Sequence, residues 1–534
     1  MAIDTLRAPV APSPPAAEPA TAPESRAGLG ERIRGIDWWV IGALAALMLI
    51  SAWLRTKAFN EHYWVDEGLS VGIAGHPLSD IPSLLKQDGS PPLYYLILHV
   101  WMGWTGKGEI ATHELSLIFA LLTIPVAYWF GASLFGRRTG LVCAAIAALS
   151  TYLTVYAQES RMYALLTLLA VIVAGSFVEA YVRGRRRYLP VFSVSLAASL
   201  YTHNWALFLG LMCAVAFLFC IYERRTDRRA LWLDGLIGFG VAGLLYLPWL
   251  PTLAYQAKHT GAPWDLPPTL WSIPQGLYSL TGGRGAAVAL LLGGGAGLLA
   301  LRNTRDGSTW LLRAAQVLLI LGFGTLLFGW LYSKTTPAWA PRYLAVVVGP
   351  LILLFGLGLV RAGALGMAAL ALCCLFWILD PQRPSLDSKS NVAAVVHHLR
   401  HDLPASTLVL STQPEQVPTI AYYLPHVRRF GTPLGPVADR HVVDWRDALG
   451  RFRRFSVQGT LEPMLATLRP GQRVALVTPW RFTTDPLWFK LIKRSSREWL
   501  DALQHDPRFV EIGSSSADAV RAGVPVAATV FKRR

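Results

Sequence analysis

The chain has 534 residues, 53% of them hydrophobic and only 15% charged, against about 25% charged in an ordinary soluble domain. Repeated apolar runs of roughly 17–25 residues exclude a soluble enzyme and read as a polytopic α-helical membrane protein. The net charge of +16 is not a nucleic-acid footprint, because much of it sits in short basic clusters between apolar runs, where cytoplasmic loops carry it.

Residues 1–36 open with an Ala- and Pro-rich stretch without apolar periodicity and read as a disordered cytoplasmic tail. The first apolar run begins near Trp38 and lacks a small-residue cleavage site, so no cleavable signal peptide is expected. The first span covers 37–54. Arg32 and Arg34 precede it, which puts the N-terminus inside and the following loop outside. That loop carries Trp64-Val65-Asp66-Glu67-Gly68 and ends in Gln87-Asp88-Gly89-Ser90-Pro91-Pro92-Leu93-Tyr94-Tyr95.

Leu93–Trp104 is apolar but short. Arg137-Arg138, Arg183 with Arg185-Arg186-Arg187, and Arg224-Arg225 with Arg228-Arg229 should all be cytoplasmic, which requires 114–135 to run inward. The 93–104 segment is therefore a juxtamembrane or re-entrant helix. Further spans are expected at 141–157, 160–182, 188–203, 205–222, 231–251, 286–301, 310–332, 343–361 and 363–379, for about eleven crossings in a membrane domain over 37–380. This parity places Gln158-Glu159-Ser160-Arg161, Thr202-His203-Asn204 and the 252–285 and 333–342 loops outside with Asp66. The five cysteines, Cys143, Cys213, Cys220, Cys373 and Cys374, lie within or at the ends of apolar segments and read as reduced packing residues.

From Asp380 the composition becomes soluble-like, after a breaker from Pro381 to Pro384. Strand-like runs at Thr407–Leu410, Val474–Val477, Val510–Ile512 and Val526–Phe531 alternate with helical patterns around 390–400 and 486–504. They predict a small α/β domain over 381–534 on the outer, periplasmic side. It has no phosphate-binding glycine fingerprint and is assigned no chemistry.

Two adjacent acids just beyond a membrane span are costly to keep near hydrocarbon, so Asp66 and Glu67 are functional candidates, a solvated loop or helix cap being the bland alternative. A carboxylate there can take the proton of an attacking hydroxyl, and one base suffices when the leaving group is already a phosphate. Arg161 either snorkels to the interface or contacts a phosphate through its planar fork, with Glu159 as a structural partner. Arg342 opens the tenth span on the outer side, against the positive-inside bias, and with nearby Lys334 suggests an anionic partner. His203 and His259 are single histidines near span ends, more often packed than ligating. Asp88 caps the 93–104 helix or faces an acceptor. No DxD pair is present, and the one HxxxH spacing, His397 to His401, lies far along the chain from the other candidates, so no metal or cofactor is expected; residual activity in excess chelator would agree.

At these residues the chain resembles the GT-C fold membrane glycosyltransferases, and among them the family of protein O-mannosyltransferases and lipid A aminoarabinose transferases. The resemblance rests on Trp64-Val65-Asp66-Glu67, Asp88-Gly89-Ser90-Pro91-Pro92-Leu93-Tyr94-Tyr95, Ser116 to Gly131, Gln158-Glu159-Ser160-Arg161-Met162-Tyr163, Tyr201-Thr202-His203-Asn204 and Pro341-Arg342-Tyr343, over about 37–380. It implies inverting transfer of a sugar from a polyprenyl-phosphate donor to a lipid, glycan or protein acceptor on the outer face of the plasma (inner) membrane. Asp66 would be the base and Glu67 would orient it or the acceptor. Arg161, Arg342, Lys334, His203 and His113 would lie at the donor phosphate, and Asp88, Glu159, Tyr94 and Tyr343 would contact the acceptor or be structural. Two departures stand out: Ser90 replaces the Lys or His common before the Pro-Pro pair, and Thr112-His113-Glu114-Leu115-Ser116 replaces an Arg-containing run, so that part of the phosphate clamp is either missing or moved to His113 or Lys86. The alternatives are a flippase of lipid-linked glycans, which would need polar residues spread through the bilayer, and a ligase or polymerase using a polyprenyl carrier.

Overall fold

A helix that is apolar on all sides is buried either in lipid or in the protein, and both kinds occur in this computed structural model. The structure describes residues 37–223, 228–303, 309–379, 389–399, 403–480, 486–516 and 525–534. The expected tail 1–36 and the expected domain boundary at 380/381 lie outside them.

Six helices are long and apolar enough to cross a membrane: Glu109–Phe135, Tyr163–Val182, Ala206–Glu223, Arg228–His259, Thr309–Ser333 and Pro341–Arg361. Ser272–Thr281 and Arg284–Ala300, bent by 87°, make a seventh if taken together, and Trp38–Leu54 and Ala364–Leu379 are shorter apolar helices. The remaining two predicted crossings fall on Arg137–Leu149 with Thr151–Tyr156, broken at Ser150, and on Leu189–Thr202. Tyr163–Val182 and Pro341–Arg361 form the centre of the helical body, with 89% of an apolar 18-residue stretch of each buried, whereas the corresponding share in Arg228–His259 is 33% and Leu236 and Leu244 turn outward. The helix Leu93–Thr105 has 13 residues and spans about 20 Å, short of the roughly 30 Å hydrocarbon core.

Of the basic clusters expected on the cytoplasmic side, the one at 183–187 is paired with buried acids. Arg183 and Arg185 lie 3.4 and 3.2 Å from Glu179, and Arg186 lies 2.9 Å from Asp234. Arg55, just after the first span, is fully buried. It donates to the carbonyls of Ala120 at 3.1 Å and Ala147 at 2.6 Å, clamping two helices.

The C-terminal segment forms a six-stranded sheet in the order β3-β2-β1-β4-β6-β5. Its strands are β1 (Leu408–Ser411), β2 (Arg429–Thr432), β3 (Gly435–Pro436), β4 (Arg473–Pro479), β5 (Phe509–Ser516) and β6 (Val526–Arg533). β1 pairs in parallel with β2 and β4, and the other pairings are antiparallel. Helix Val392–Leu399 packs over one face through Val392, Val395 and Val396, and the amphipathic helix Leu487–His505 covers the other through Trp488 and Trp499. β2 and β3 are absent from the sequence expectation; at four and two residues, they are too short for an alternating pattern to register.

Residues 44–534 form one compact unit, and the sheet sits on the segment that follows helix Trp38–Leu54. Helix Val417–Tyr423 packs against helix Val65–Ala74, where Gly68 and Gly72 permit the approach: a Cβ at Gly68 would overlap Thr419 Oγ1, and one at Gly72 the His441 carbonyl. Tyr63 N donates to Tyr423 Oη at 2.8 Å, His76 pairs with Asp439 at 2.8 Å, and Trp445 N donates to Gln87 O at 3.1 Å.

Candidate functional site

Trp64 is extended, and the helix Val65–Ala74 begins directly after it, so Asp66 and Glu67 both fall in the first turn, at the positive end of the helix dipole. Consecutive helical residues project about 100° apart, and here that divides the two acids. The Glu67 side chain is 0% exposed and points into the helical body, while Asp66 is 19% exposed and faces Arg161 and Arg342.

Glu67 is held on every side. Its carboxylate accepts from Ser160 N at 2.9 Å and from Lys389 Nζ at 3.1 and 3.0 Å, and His113 Nε2 lies 2.7 Å away. Burial pushes the Glu67 carboxyl up, but Lys389 and His113 outweigh it and hold it below the usual range. The other nitrogen of His113 meets Phe59 O at 3.1 Å, and the ring has no exposure. Glu67, expected to orient Asp66 or the acceptor, is enclosed by these partners, and His113, expected at the donor phosphate, is placed against Glu67. Lys389 is missing from the sequence reading because its partner lies 322 residues earlier; a lysine beside a Pro-rich breaker carries no local signal of burial.

Arg161 and Arg342 converge on Asp66. Arg161 NH2 and Arg342 Nε each lie 3.7 Å from Asp66 Oδ2. Arg161 NH1 also donates to Asp66 O at 3.2 Å and Ser70 Oγ at 2.8 Å. Its segment is anchored by Gln158, whose side-chain oxygen accepts from Ala58 N at 2.7 Å and whose carbonyl accepts from Lys389 at 3.0 Å, and by Ser160 Oγ, which donates to Thr112 Oγ1 at 2.7 Å. Tyr152 Oη donates to the carbonyls of Pro341 and Arg342 at 3.1 and 3.0 Å, fixing the start of helix Pro341–Arg361. The Arg342 guanidinium lies over the Trp64 and Tyr343 rings, at 5.9 and 5.1 Å. Both Arg161 Nε and Arg342 Nε are buried without a hydrogen-bond partner among the described residues.

Three further carboxyls lie in the field of this cluster. Asp88, half-buried at the end of helix Ile81–Asp88, is raised to about 6 by burial, with Ser90 and Arg161 pulling the other way. Burial raises Glu159 to about 7 against the pull of Lys389, and its Oε2 has no hydrogen-bond partner among the described residues. Asp265, in the 260–271 loop, is raised to about 6 by burial, opposed by Arg342 and assisted by Asp66. Asp265 was missed in the sequence, where it is one acid in a loop without a pattern. The neighbouring Trp264 packs edge-on against Trp445 of the sheet domain at 4.7 Å.

The remaining candidates are spread more widely. Tyr94 is fully buried, and Tyr343 stacks at 5.0 Å from the His203 ring. His203 Nδ1 accepts from Trp205 N at 3.1 Å, so its sequence-assigned role at the phosphate is left to the opposite nitrogen. Lys334 is exposed, over the Trp330 ring at 5.0 Å, and Lys86 lies over Tyr255 at 4.3 Å. His259 pairs with Asp447 at 3.3 Å at the seam with the sheet domain. Among the described residues no group of three His, Cys, Asp or Glu side chains could hold a metal ion.

No family model matches the chain, and no curated protein matches it significantly. Solved structures do. The chain is similar to ArnT from Cupriavidus metallidurans in the apo state, with TM-score 0.58 and 13% identity over 92% of this chain and 98% of that one. The same protein bound to undecaprenyl phosphate gives TM-score 0.59, also at 13% identity over 92% and 98%. The archaeal oligosaccharyltransferase AglB from Archaeoglobus fulgidus, in complex with an inhibitory peptide and a dolichol-phosphate, gives 0.51 at 12% identity over 82% and 69%. The arabinofuranosyltransferase AftD from Mycobacteria gives 0.52 at 12% identity over 93% of this chain and 40% of that one. With its apolar helices and C-terminal sheet, the chain is a polytopic membrane protein with the GT-C glycosyltransferase fold.

Proposed function

We propose that the chain is an inverting membrane glycosyltransferase that moves a sugar from a polyprenyl-phosphate donor to an acceptor hydroxyl on the extracytoplasmic face. The observation that carries this reading is one partly exposed carboxylate, Asp66, between two arginines whose Nε donors make no hydrogen bond among the described residues. In the proposed step the acceptor oxygen attacks the anomeric carbon while Asp66 takes its proton. The bond from that carbon to the phosphate oxygen breaks, and its electron pair leaves with the phosphate. Arg161 and Arg342 balance the charge that develops there. Their 3.7 Å approach to Asp66 is longer than a hydrogen bond, so both can turn toward an arriving phosphate. Glu67, tied to Lys389, His113 and Ser160, positions the helix start that carries Asp66.

The likeness to proteins solved with undecaprenyl phosphate and with dolichol-phosphate supports a polyprenyl carrier. The acceptor is a hydroxyl of a lipid, a glycan or a protein.

The test compares wild type with Asp66→Asn in membranes supplied with a labelled lipid-linked sugar pool, followed by mass spectrometry of the envelope glycans and lipids. Loss of a general base lowers turnover by about 10²–10⁴-fold, with donor binding retained. Turnover at the wild-type rate would remove the base assignment.

A further inference from the structure

A cavity of about 610 Å³ lies in the C-terminal domain, at the β2–β3 edge of the sheet. Four arginines line it, Arg428, Arg429, Arg451 and Arg454, and no acidic side chain does. Its floor is apolar and includes Phe430 and Phe455. Arg429 is engaged by Thr467 and Arg451 by Asp444, but Arg451 Nε is buried without a hydrogen-bond partner. Arg428 and Arg454 are exposed and have no ion-pair partner among the described residues. Like charges gathered in one concavity repel, and this arrangement is relieved by an anion. Guanidinium groups hold phosphate oxygens in bidentate pairs, and a cavity of several hundred Å³ with an apolar floor and a few convergent polar groups suits a small ligand.

We infer that this cavity is a binding site for a phosphate-bearing saccharide, with the phosphate on the arginines and the ring against Phe430 and Phe455. The site is separate from Asp66 and its two arginines and does not depend on the transferase reading. The same chemistry is presented by a free sugar phosphate and by the phosphorylated headgroup of a lipid.

The full chain in phosphatidylcholine nanodiscs is titrated calorimetrically with glucose 6-phosphate and, separately, with dihexanoyl phosphatidic acid. Saturable binding that weakens at least tenfold in Arg428→Ala/Arg454→Ala, is largely kept in Arg428→Lys/Arg454→Lys, and is unchanged in Asp66→Asn and Arg342→Ala supports the site. Binding of the sugar phosphate under these conditions assigns a free ligand; binding of the phosphatidic acid alone, with the same variant pattern, assigns a lipid headgroup. Absence of binding by both probes, or binding that survives the double alanine variant, overturns the inference. An unchanged melting temperature of the unliganded variants separates lost recognition from lost folding.

Discussion

Replacing Lys389 with Met isolates the contact that joins the C-terminal segment to the helix start carrying Asp66 and Glu67. The ammonium, 4% exposed, meets both oxygens of a carboxylate that is 0% exposed, at 3.1 and 3.0 Å. Breaking a buried pair by removing one partner costs about 3–5 kcal/mol, because the remaining charge is stranded. The pH dependence should also change sign. In the wild type Glu67 is held below its ordinary 4.5, so its contribution is present above that value and lost as pH falls through the depressed folded value. Without Lys389, burial becomes the dominant influence and raises the group; stability is then retained at low pH and lost as pH rises through the raised value. Melting followed by tryptophan fluorescence, at one scan rate because unfolding of such proteins is often irreversible, should show a drop of several degrees at pH 7.5. The deficit should shrink at pH 5. Lys389→Met/Glu67→Gln should melt above Lys389→Met alone, since no charge remains unpaired. A single variant that melts with the wild type, or a double variant that loses the sum of both singles, would refute the buried-pair account.

Arg342→Ala should weaken donor binding more than acceptor binding, by about tenfold or more for a charge-assisted phosphate contact worth roughly 1.5–3 kcal/mol; a loss confined to the acceptor would contradict the phosphate role. Gly68→Val should destabilise by about 1–3 kcal/mol through overlap with Thr419, while Gly103→Ala, where a Cβ meets nothing within 4 Å, should be near neutral in the same melting assay. A reporter fused after Arg534 should read extracytoplasmic, and a cytoplasmic signal would overturn the span parity.

Hydropathy is a local property, so the sequence alone was enough to determine the membrane class and the positions of the apolar helices. The same holds for four of the six strands, whose β-branched runs are long enough to register. It also singled out Asp66, Arg161 and Arg342, because charge at the edge of hydrocarbon is conspicuous. It did not separate Asp66 from Glu67. Only the docked helix shows that one neighbour faces Arg161 and Arg342 and the other is enclosed by Lys389, His113 and Ser160, which lie between 46 and 322 residues away in the chain. The same limit concealed Asp265 and the arginine-lined cavity. Each is assembled from residues that carry no pattern along the chain, and burial and proximity are set by long-range packing.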